Sequence, residues 1–347
     1  MSEKPLVSII IPHFNGKEIL QACLISLEKT LYSNKEVILV DNGSSDGSVE
    51  IMQGRFPWLQ IVRNKQNLGY AGGCNSGLLK ARGKYVLLLN NDTVVDPHWL
   101  AKIVEVCEQD GKIAACQPKI LSLKNQNMFD YAGAAGGLMD IFGFPFAKGR
   151  IFFTIEKDEH QYEEGGHIFW ASGTAMLIRK SALDEVGNFD EDFFAHMEEI
   201  DLNWRLHLAG YNVISKPQAR VYHSAGSTLK TNSYKKVLLN HRNCLIMLLK
   251  NYEVKNLIWI FPVRIFLEFV AIIYSLVKLD FIRIKAVCVA LASVVVNFKK
   301  IMAKRVQVQL VRKIPDSQIF AKMYRGSIVF DYFIRGIRKV QDLKHGN

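Results

Sequence analysis

Apolar runs and amphipathic stretches alternate through the first ninety residues of the chain. Short apolar runs are typical of strands buried on both faces of a sheet. They occupy residues 7–11, 36–40, 59–62 and 85–89, and Pro12 is expected to end the first. Helical periodicity predicts helices at residues 16–31 and 49–56. Alternation of strands and helices predicts a parallel, doubly wound α/β sheet.

The segment between the third and fourth predicted strands is rich in glycine. Residues 67–77 predict a loop that leads into a helix ending near Gly83. The glycines allow a backbone to approach a ligand closely. Their order is not that of a dinucleotide-binding loop, and they follow the third strand rather than the first. A dehydrogenase is therefore disfavoured.

Polar residues follow two of the predicted strands directly. The strand at 85–89 ends in Asn90, Asn91, Asp92 and Thr93, and the strand at 36–40 ends in Asp41. Ligands of open α/β sheets bind outside the carboxyl ends of the strands. An oxygen cluster there suits Mg²⁺ or Mn²⁺, and a carboxylate there can accept from a base or a ribose hydroxyl. Polar turns and helix caps are the alternative for both segments.

The chain becomes less regular beyond the fourth strand. The pattern predicts a helix at 98–110, glycine-containing strands and loops at 113–180, a helix at 192–209, and short strands at 213–215 and 219–222. Within the later helix, three carboxylates stand together at Glu198, Glu199 and Asp201. A general base must be a carboxylate or histidine within reach of the proton it takes. The helix dipole and an ion pair between Asp201 and Arg205 are the structural alternatives.

One further residue and one segment are candidates for binding a metal or a sugar, and each also has an ordinary structural interpretation. His223 ends a predicted strand, and a neutral imidazole there could bind a divalent metal. The segment from Trp170 to Gly173 could offer an aromatic platform to a sugar, although a place in the core is favoured for the indole.

The last third of the chain differs in charge and pattern. Residues 226–347 carry 22 Lys and Arg against 6 Asp and Glu, whereas the remainder carries 22 against 27. Residues 257–277 are apolar except for one helical stripe that contains Arg264, Glu268 and Ser275. Spanning a bilayer takes about 20 uninterrupted apolar residues. We therefore expect this segment, with the shorter run 286–296, to lie in a membrane interface; a helical subdomain or a dimer interface is the alternative.

The remaining composition excludes some classes. The six cysteines are scattered, which suggests neither a zinc site nor a disulfide framework and fits a reducing cytosol. No signal peptide is expected, because the polar N-terminus enters a strand at once. Nucleic-acid binding by the basic tail is disfavoured, since its cations are interleaved with long apolar stripes.

In order and spacing, these motifs resemble the family 2 glycosyltransferases of the GT-A fold, and most closely their rhamnosyltransferase-like branch. The resemblance runs from Val7 to about Asn251. Its motifs lie at residues 7–15, 40–48, 67–75, 90–92, 187–191 and 198–202. It implies a Rossmann-like, mostly parallel central sheet flanked by helices in residues 1–226. Residues 227–347 would form a basic, helical, membrane-associating extension.

The resemblance also implies roles for single residues. Nucleotide-sugar-binding positions would be Pro12, Phe14, Asn15, Asp41, Asn67, Gly69, Asn75 and Asn91. Asp92 would be the remaining carboxylate of the metal-binding DxD motif, since Asn90 stands at its first position, with His223 near the metal. Glu199 stands at the position of the catalytic base, and Glu198 and Asp201 remain alternatives. Trp170 and Gly173 would lie on the acceptor side.

The expected function is that of an inverting, metal-dependent glycosyltransferase. It would move a sugar from a UDP- or dTDP-type donor to a hydroxyl of a glycan or lipid-linked acceptor in cell-surface polysaccharide synthesis. The expected location is the cytoplasmic, anionic face of the inner membrane. A non-catalytic nucleotide-sugar-binding scaffold at the membrane is the alternative, and the oligomeric state is left open.

Overall fold

The computed structural model describes residues 4–224 and 233–343. Its strands are β1 Val7–His13, β2 Lys35–Asp41, β3 Leu59–Arg63, β4 Tyr85–Leu89, β5 Thr93–Val95, β6 Ile113–Ser122, β7 Gly137–Met139, β8 Pro145–Ala147, β9 Arg150–Ile151, β10 Thr154–Ile155, β11 Gly166–His167, β12 Ala175–Arg179 and β13 Asn212–His223. Its α-helices are α1 Lys17–Glu28, α2 Ser48–Arg55, α3 Gly69–Leu78, α4 Trp99–Gln109, α5 Lys180–Val186, α6 Glu198–Leu208, α7 Tyr234–Asn251, α8 Val254–Val277, α9 Phe281–Val296, α10 Phe298–Leu310, α11 Asp316–Phe320 and α12 Ile328–Phe333. Short 3₁₀ turns lie at Glu191–Phe193 and Val340–Asp342.

One mixed sheet organises the first two thirds of the chain. Its strand order is β11-β13-β6-β12-β4-β1-β2-β3, and β5 pairs with β13. The four predicted strands β1 to β4 run parallel, and β12 is inserted antiparallel between β4 and β6. The expected mostly parallel α/β sheet is thereby confirmed. In this register His13 lies opposite Asp41, so both strands end at the same edge.

Helices cover both faces of the sheet because apolar residues alternate along each strand between two cores. Ile9 and Ile11 pack with α1, α2 and α4 on one face, while Ile10 packs with α3, α5 and α6 on the other. All three isoleucines are fully buried. Each buried side chain of this size contributes about 1.5–3 kcal/mol, which is why the strands read as continuous apolar runs.

The pattern predicts that strand β1 ends at Pro12, but the strand continues to His13. The His13 carbonyl accepts from the Asn42 N–H at 2.8 Å, which turns His13 toward β2 and the preceding proline toward β4. Pairing with β4 already stops at Ile10. The missing N–H of proline therefore costs no ladder hydrogen bond.

The glycine-rich segment is helix α3 itself, not the predicted loop. A Cβ on Gly77 would stand 2.4 Å from Ile10 Cγ2, and one on Gly73 would stand 2.7 Å from Asn42 Nδ2. The glycines thus let this helix lie directly on the sheet. Two further boundaries differ from prediction. The helix after residue 192 begins at Glu198, and the two short strands after 212 are one strand with an irregularity between Lys216 and Arg220.

The C-terminal helices close a core that they share with the sheet domain. Trp204 of α6 and Phe169 pack in one apolar cluster with Leu248 of α7, Ile301 of α10 and Met323. The expected division between residues 226 and 227 lies outside the described residues. Helix α8 is long and apolar enough to cross a membrane; α9 and α10, which are bent by 70°, would be a second candidate if counted as one span.

The polar stripe of α8 is confirmed, and it faces the protein. Arg264 and Glu268 are 2% and 1% exposed and lie 2.6 Å apart, and His241 Nδ1 is 2.5 Å from Glu268. The Arg264 guanidinium also stacks on Phe144. Ile260 packs inward, but many of the other apolar side chains of α8 point away from the protein; Phe266, for example, is 64% exposed.

Candidate active site

The carboxyl ends of β1, β2 and β4 bring the predicted polar residues to one edge of the sheet. His13 at the end of β1 links two of these ends, because its Nδ1 lies 2.8 Å from Asn91 Nδ2 and its Nε2 lies 2.8 Å from Ser48 Oγ. Burial lowers the pKa of His13, against the opposing effect of Asp46 and Asp41. A neutral His13 accepts from Asn91 and donates to Ser48, which donates to Asp46 at 2.5 Å. This series of hydrogen bonds fixes the orientation of the Asn91 amide.

Asp92 and His223 form the second feature of this edge. His223 Nε2 lies 3.0 Å from Asp92 Oδ1, and His223 Nδ1 lies 2.8 Å from Asp130 Oδ1. Burial alone would lower the pKa of His223, but the hydrogen bonds to Asp130 and Asp92 raise it to about 10. The pairing arises because β5, which follows Asp92, is antiparallel to the end of β13. Asp130 belongs to no motif, and sequence reasoning missed it.

The donor set at Asp92 fits a hard divalent cation. Asp92 is buried, and within the described residues the contact with His223 Nε2 is the only ion pair of its carboxylate. Metal-binding histidines commonly donate their second ring N–H to a carboxylate, which is how Asp130 stands behind His223. A carboxylate, an imidazole and the neighbouring amide of Asn91 are ligands that Mg²⁺ or Mn²⁺ accepts.

Two unpaired carboxylates open helix α6. Glu198 is buried and Glu199 is half-buried, and Oε2 of each lacks a hydrogen-bond partner in the described part of the chain. Burial raises the pKa of Glu199 to about 7, and burial together with Glu199 raises that of Glu198 well above its usual range. Tyr70 and Cys74 of α3 face this pair, and burial raises the pKa of both. A carboxylate poised near neutrality suits proton abstraction.

Asp201 has the contacts of a structural residue, contrary to its place among the candidate bases. Its Oδ2 accepts from Arg205 Nε at 3.0 Å and Lys250 Nζ at 3.1 Å, and its Oδ1 accepts from Asn251 Nδ2 at 2.9 Å. It is fully buried. Both oxygens are occupied by the α6–α7 interface, so no acceptor hydroxyl can reach them.

A strained turn precedes the acidic pair. Phe194, His196 and Met197 all have positive φ (63°, 69° and 72°), a conformation that costs non-glycine residues about 1 kcal/mol or more each. Asn243 of α7 holds the turn, because its Nδ2 donates to the carbonyls of Phe193, Ala195 and His196 at 3.0, 3.0 and 2.7 Å. The position of Glu198 and Glu199 thus depends on the C-terminal part of the chain.

The short segment 171–174 connects the two halves of the site. Thr174 O accepts from Asn90 N at 3.0 Å, and Gly173 O accepts from the Tyr70 hydroxyl at 2.5 Å. Asn203 Nδ2, one turn after Glu199, donates to the Glu199 carbonyl at 2.6 Å and approaches Ala171 O at 3.3 Å. The end of β4 and the start of α6 therefore line one cleft.

The nucleotide-side residues predicted at β1 and β2 converge beside this cleft. Asp41 is buried; it accepts from Ser44 N at 2.8 Å and lies 3.3 Å from Arg63. Asn15 accepts from Ser45 N at 2.9 Å. Pro12 and Phe14 stand at the same strand end, and the Phe14 ring is exposed. These residues can form one wall for a base and ribose.

The residues at 67–75 that were predicted to bind the nucleotide-sugar only partly match the expectation. Asn67 lies just before α3 and its Oδ1 accepts from Gly69 N at 2.8 Å, and a Cβ on Gly69 would meet Phe194 O at 2.3 Å. The side chain of Asn75, which was predicted to bind the nucleotide-sugar, bonds within the protein instead. Its amide is engaged by Phe189 and Glu191, with hydrogen bonds of 2.9–3.1 Å. Asn75 therefore joins α3 to the 189–191 turn.

Trp170, predicted on the acceptor side, is a core residue. It is 4% exposed, its Nε1 donates to Leu138 O at 2.8 Å, and its ring covers Gly137, where a Cβ would stand 2.1 Å away. An aromatic platform needs an exposed ring face, which this indole lacks. Gly173, by contrast, lies in the connecting segment, where a Cβ would meet the Tyr70 hydroxyl at 2.7 Å.

Sequence comparison finds matches among known glycosyltransferases. The pattern that defines glycosyl transferase family 2 matches residues 8–187. An N-acetylglucosaminyl-diphospho-decaprenol L-rhamnosyltransferase of Mycobacterium tuberculosis is 26% identical over 247 residues, covering 66% of this chain and 79% of the relative. A poly-beta-1,6-N-acetyl-D-glucosamine synthase of Staphylococcus epidermidis is 28% identical over 221 residues, covering 61% of this chain and 48% of the relative. This chain thus matches about half of that second protein.

Solved structures share the fold at low sequence identity. GalNAc-T7, crystallised with UDP, GalNAc and Mn²⁺, superposes with a TM-score of 0.58 at 16% identity, over 74% of this chain and 49% of its own. The mannosyltransferase PcManGT from Pyrobaculum calidifontis, in complex with GDP-Man and Mn²⁺, gives 0.53 at 15% identity, over 92% and 84%. At these identities the likeness shows the fold.

Proposed function

The chain belongs to glycosyl transferase family 2 and has the GT-A fold, and we propose that it moves a sugar, with inversion, from a UDP- or dTDP-type nucleotide-diphospho-sugar to a hydroxyl of a glycan or lipid-linked acceptor. The observation that carries this proposal is the Glu199 carboxyl group, whose Oε2 has no hydrogen-bond partner in the described part of the chain, in the cleft that also contains Asp92. The named activities of the relatives support a role in cell-surface polysaccharide synthesis.

Glu199 is the general base of this reaction. It takes the proton from the acceptor hydroxyl as that oxygen attacks the anomeric carbon, and the nucleoside diphosphate leaves from the opposite face. Glu199 is preferred to Glu198 because it is the more exposed of the two. Asp92 and His223, with Asn91, would hold Mg²⁺ or Mn²⁺, which when bound neutralises the charge of the departing diphosphate. Asp41, Asn15 and Phe14 position the nucleoside.

Two variants separate the roles of the two carboxylates. With a panel of nucleotide-sugars and Mn²⁺, Glu199→Gln should lower turnover by about 10²-fold or more yet keep the thermal shift that the donor produces. Asp92→Asn should lose both turnover and shift. Glu105→Gln, on the exposed face of α4, is the matched control and should keep both. Donor binding by the wild type without turnover would instead identify a non-catalytic scaffold.

The outward face of α8 and α9 supports a location on the anionic, cytoplasmic face of the inner membrane. Its exposed side chains include Ile258, Phe266, Phe269, Ile273, Val277, Phe281 and Ile282. Lys278, Arg283 and Lys285 follow the apolar face at the α8–α9 junction. Apolar burial combined with basic residues is the pattern of helices that lie in the membrane interface. The buried Arg264–Glu268 pair holds α8 on the protein in this orientation.

Residues 227–347 are accordingly proposed as an extension that docks the domain 1–226 on the membrane. Deleting the extension would open the shared core, so point variants are the better test. Phe266→Ser with Ile273→Ser should reduce co-sedimentation with vesicles that contain anionic lipid. Leu31→Ser with Leu79→Ser removes two exposed apolar side chains elsewhere and should leave it unchanged. Equal binding of both double variants would refute the docking surface.

A further inference from the structure

Arg150 is a buried cation without an anionic partner among the residues that the structure describes. It is 7% exposed, and its Nε lies buried with no hydrogen-bond partner in the described ranges. Among the described residues no carboxylate lies within ion-pair distance of it, and its guanidinium stacks over the Tyr131 ring at 4.3 Å from the centroid. A desolvated charge without a partner is costly, so such groups are normally paired or await a ligand.

A second cation approaches the same ring. Lys236, in the first turn of α7, stands 5.2 Å from the Tyr131 centroid and makes no ion pair with any described residue. Lys235 lies 3.8 Å from the centroid of Phe194. We call Arg150, Tyr131 and Lys236 the cationic cluster. Two charges without carboxylate partners at one aromatic ring favour an anionic ligand.

The cationic cluster borders both halves of the active site. Tyr131 follows Asp130, whose carboxylate holds His223 beside Asp92. The contact of Lys235 with Phe194 places this first turn of α7 beside the strained turn that precedes Glu198. The cluster is therefore at the cleft but separate from the donor-metal side chains themselves.

The cluster also adjoins the proposed membrane face. The β8–β9 hairpin that carries Arg150 follows Phe144, and Phe144 packs on Arg264 of α8. Lys285 of α9 lies 5.8 Å from the ring of Tyr234, two residues before Lys236. A lipid chain lying on α8 and α9 would thus bring its headgroup toward the cluster.

We propose that the cationic cluster binds the phosphate or diphosphate of a prenyl-linked acceptor. This rests on the proposed function and narrows its acceptor class from any glycan to a phosphate-bearing lipid. Arginine is suited to the task, because its planar donors pair with phosphate oxygens at two points. Binding the phosphate supplies the missing counter-charge of Arg150 and holds the attached sugar hydroxyl near Glu199.

The test measures binding, so that it does not depend on turnover. Farnesyl diphosphate, farnesol and inorganic pyrophosphate are titrated into the full-length protein in EDTA, which silences a metal-dependent donor site. The wild type should bind farnesyl diphosphate at least about tenfold more tightly than farnesol or pyrophosphate. Arg150→Gln and Lys236→Gln should each lose most of the preference for farnesyl diphosphate over farnesol, and Arg150→Lys should keep part of it. Lys80→Gln, which removes an exposed cation after α3, should keep all of it.

Three results would overturn the proposal. The first is a wild type that binds farnesyl diphosphate no more tightly than farnesol. The second is pyrophosphate binding as tightly as farnesyl diphosphate, and the third is an Arg150→Gln protein that keeps the preference over farnesol. If Arg150→Gln does not fold, Lys236→Gln decides alone, since its side chain lies at the start of a helix and is only half-buried. A failure of the glycosyl-transfer proposal would appear instead as absent donor turnover with the binding preference intact.

Discussion

Replacing Glu199 by Gln should stabilise the folded protein in alkaline solution while it removes transfer activity. Burial raises the pKa of Glu199 from 4.5 to about 7, so the folded state retains a proton that the unfolded chain releases. The contribution of Glu199 to the free energy of unfolding is therefore fully present below pH 4.5, decreases as the pH rises, and is lost above about pH 7. Glu198, Tyr70 and Cys74 face the same group, and burial raises the pKa of each.

The size of the effect follows from that difference. Each factor of ten in proton affinity is worth about 1.4 kcal/mol, so the full penalty is about 3 kcal/mol, and partial solvent access reduces it to about 2 kcal/mol. Glutamine cannot ionise and escapes the penalty. Relative to wild type, the free energy of unfolding of Glu199→Gln should thus increase by about 2 kcal/mol between about pH 5 and about pH 8.5.

Urea denaturation at the two pH values measures the change. Any packing effect of the amide is the same at both pH values and cancels in the comparison. Glu105→Gln removes a carboxylate from an exposed helix face and should differ from wild type equally at both. A stability difference for Glu199→Gln that does not vary with pH would show that Glu199 is not held protonated, and would remove the basis for its role as a tuned base.

The other predictions concern packing around the cleft. Gly69→Ala, with positive φ and a Cβ 2.3 Å from a backbone oxygen, should cost more than about 2 kcal/mol in urea denaturation, whereas Gly111→Ala meets nothing within 4 Å and should cost little. Asn243→Ala removes the amide that donates to three carbonyls of the strained turn, and it should cost about 2–4 kcal/mol and lower kcat more than it raises the KM for the donor sugar. Glu268→Gln strips buried Arg264 of its counter-ion and should lower stability by about 3 kcal/mol in the same assay.

The sequence predicts the sheet edge well because buried strands leave a strong local signal. The four apolar runs, and the polar residues Asp41 and Asp92 that follow two of them, lie where the pattern places them. Helix α3 is missed because glycine signals a loop locally, while here it permits contact between helix and sheet. That contact depends on Ile10, which is distant along the chain.

The candidate catalytic carboxylates are only partly predictable for the same reason. Glu198, Glu199 and Asp201 are equivalent candidates in the sequence. The structure distinguishes them because Lys250 and Asn251 donate hydrogen bonds to Asp201 alone. The partner of His223, Asp130, and the isolation of Arg150 arise from loops packed by the tertiary fold. Such residues carry no periodic pattern that could distinguish them beforehand.

The core shared by Trp204 and the C-terminal helices has a consequence for synthesis. During translation the strands β1 to β4 can pack with α1, α2 and α3 soon after they are made, because these partners lie close in sequence. Helix α6 cannot, since its apolar face waits for Leu248, Ile301 and Met323. We therefore expect the acidic pair at its first turn to become ordered only after nearly the whole chain has left the ribosome, so that the proposed base is positioned only once the C-terminal helices exist.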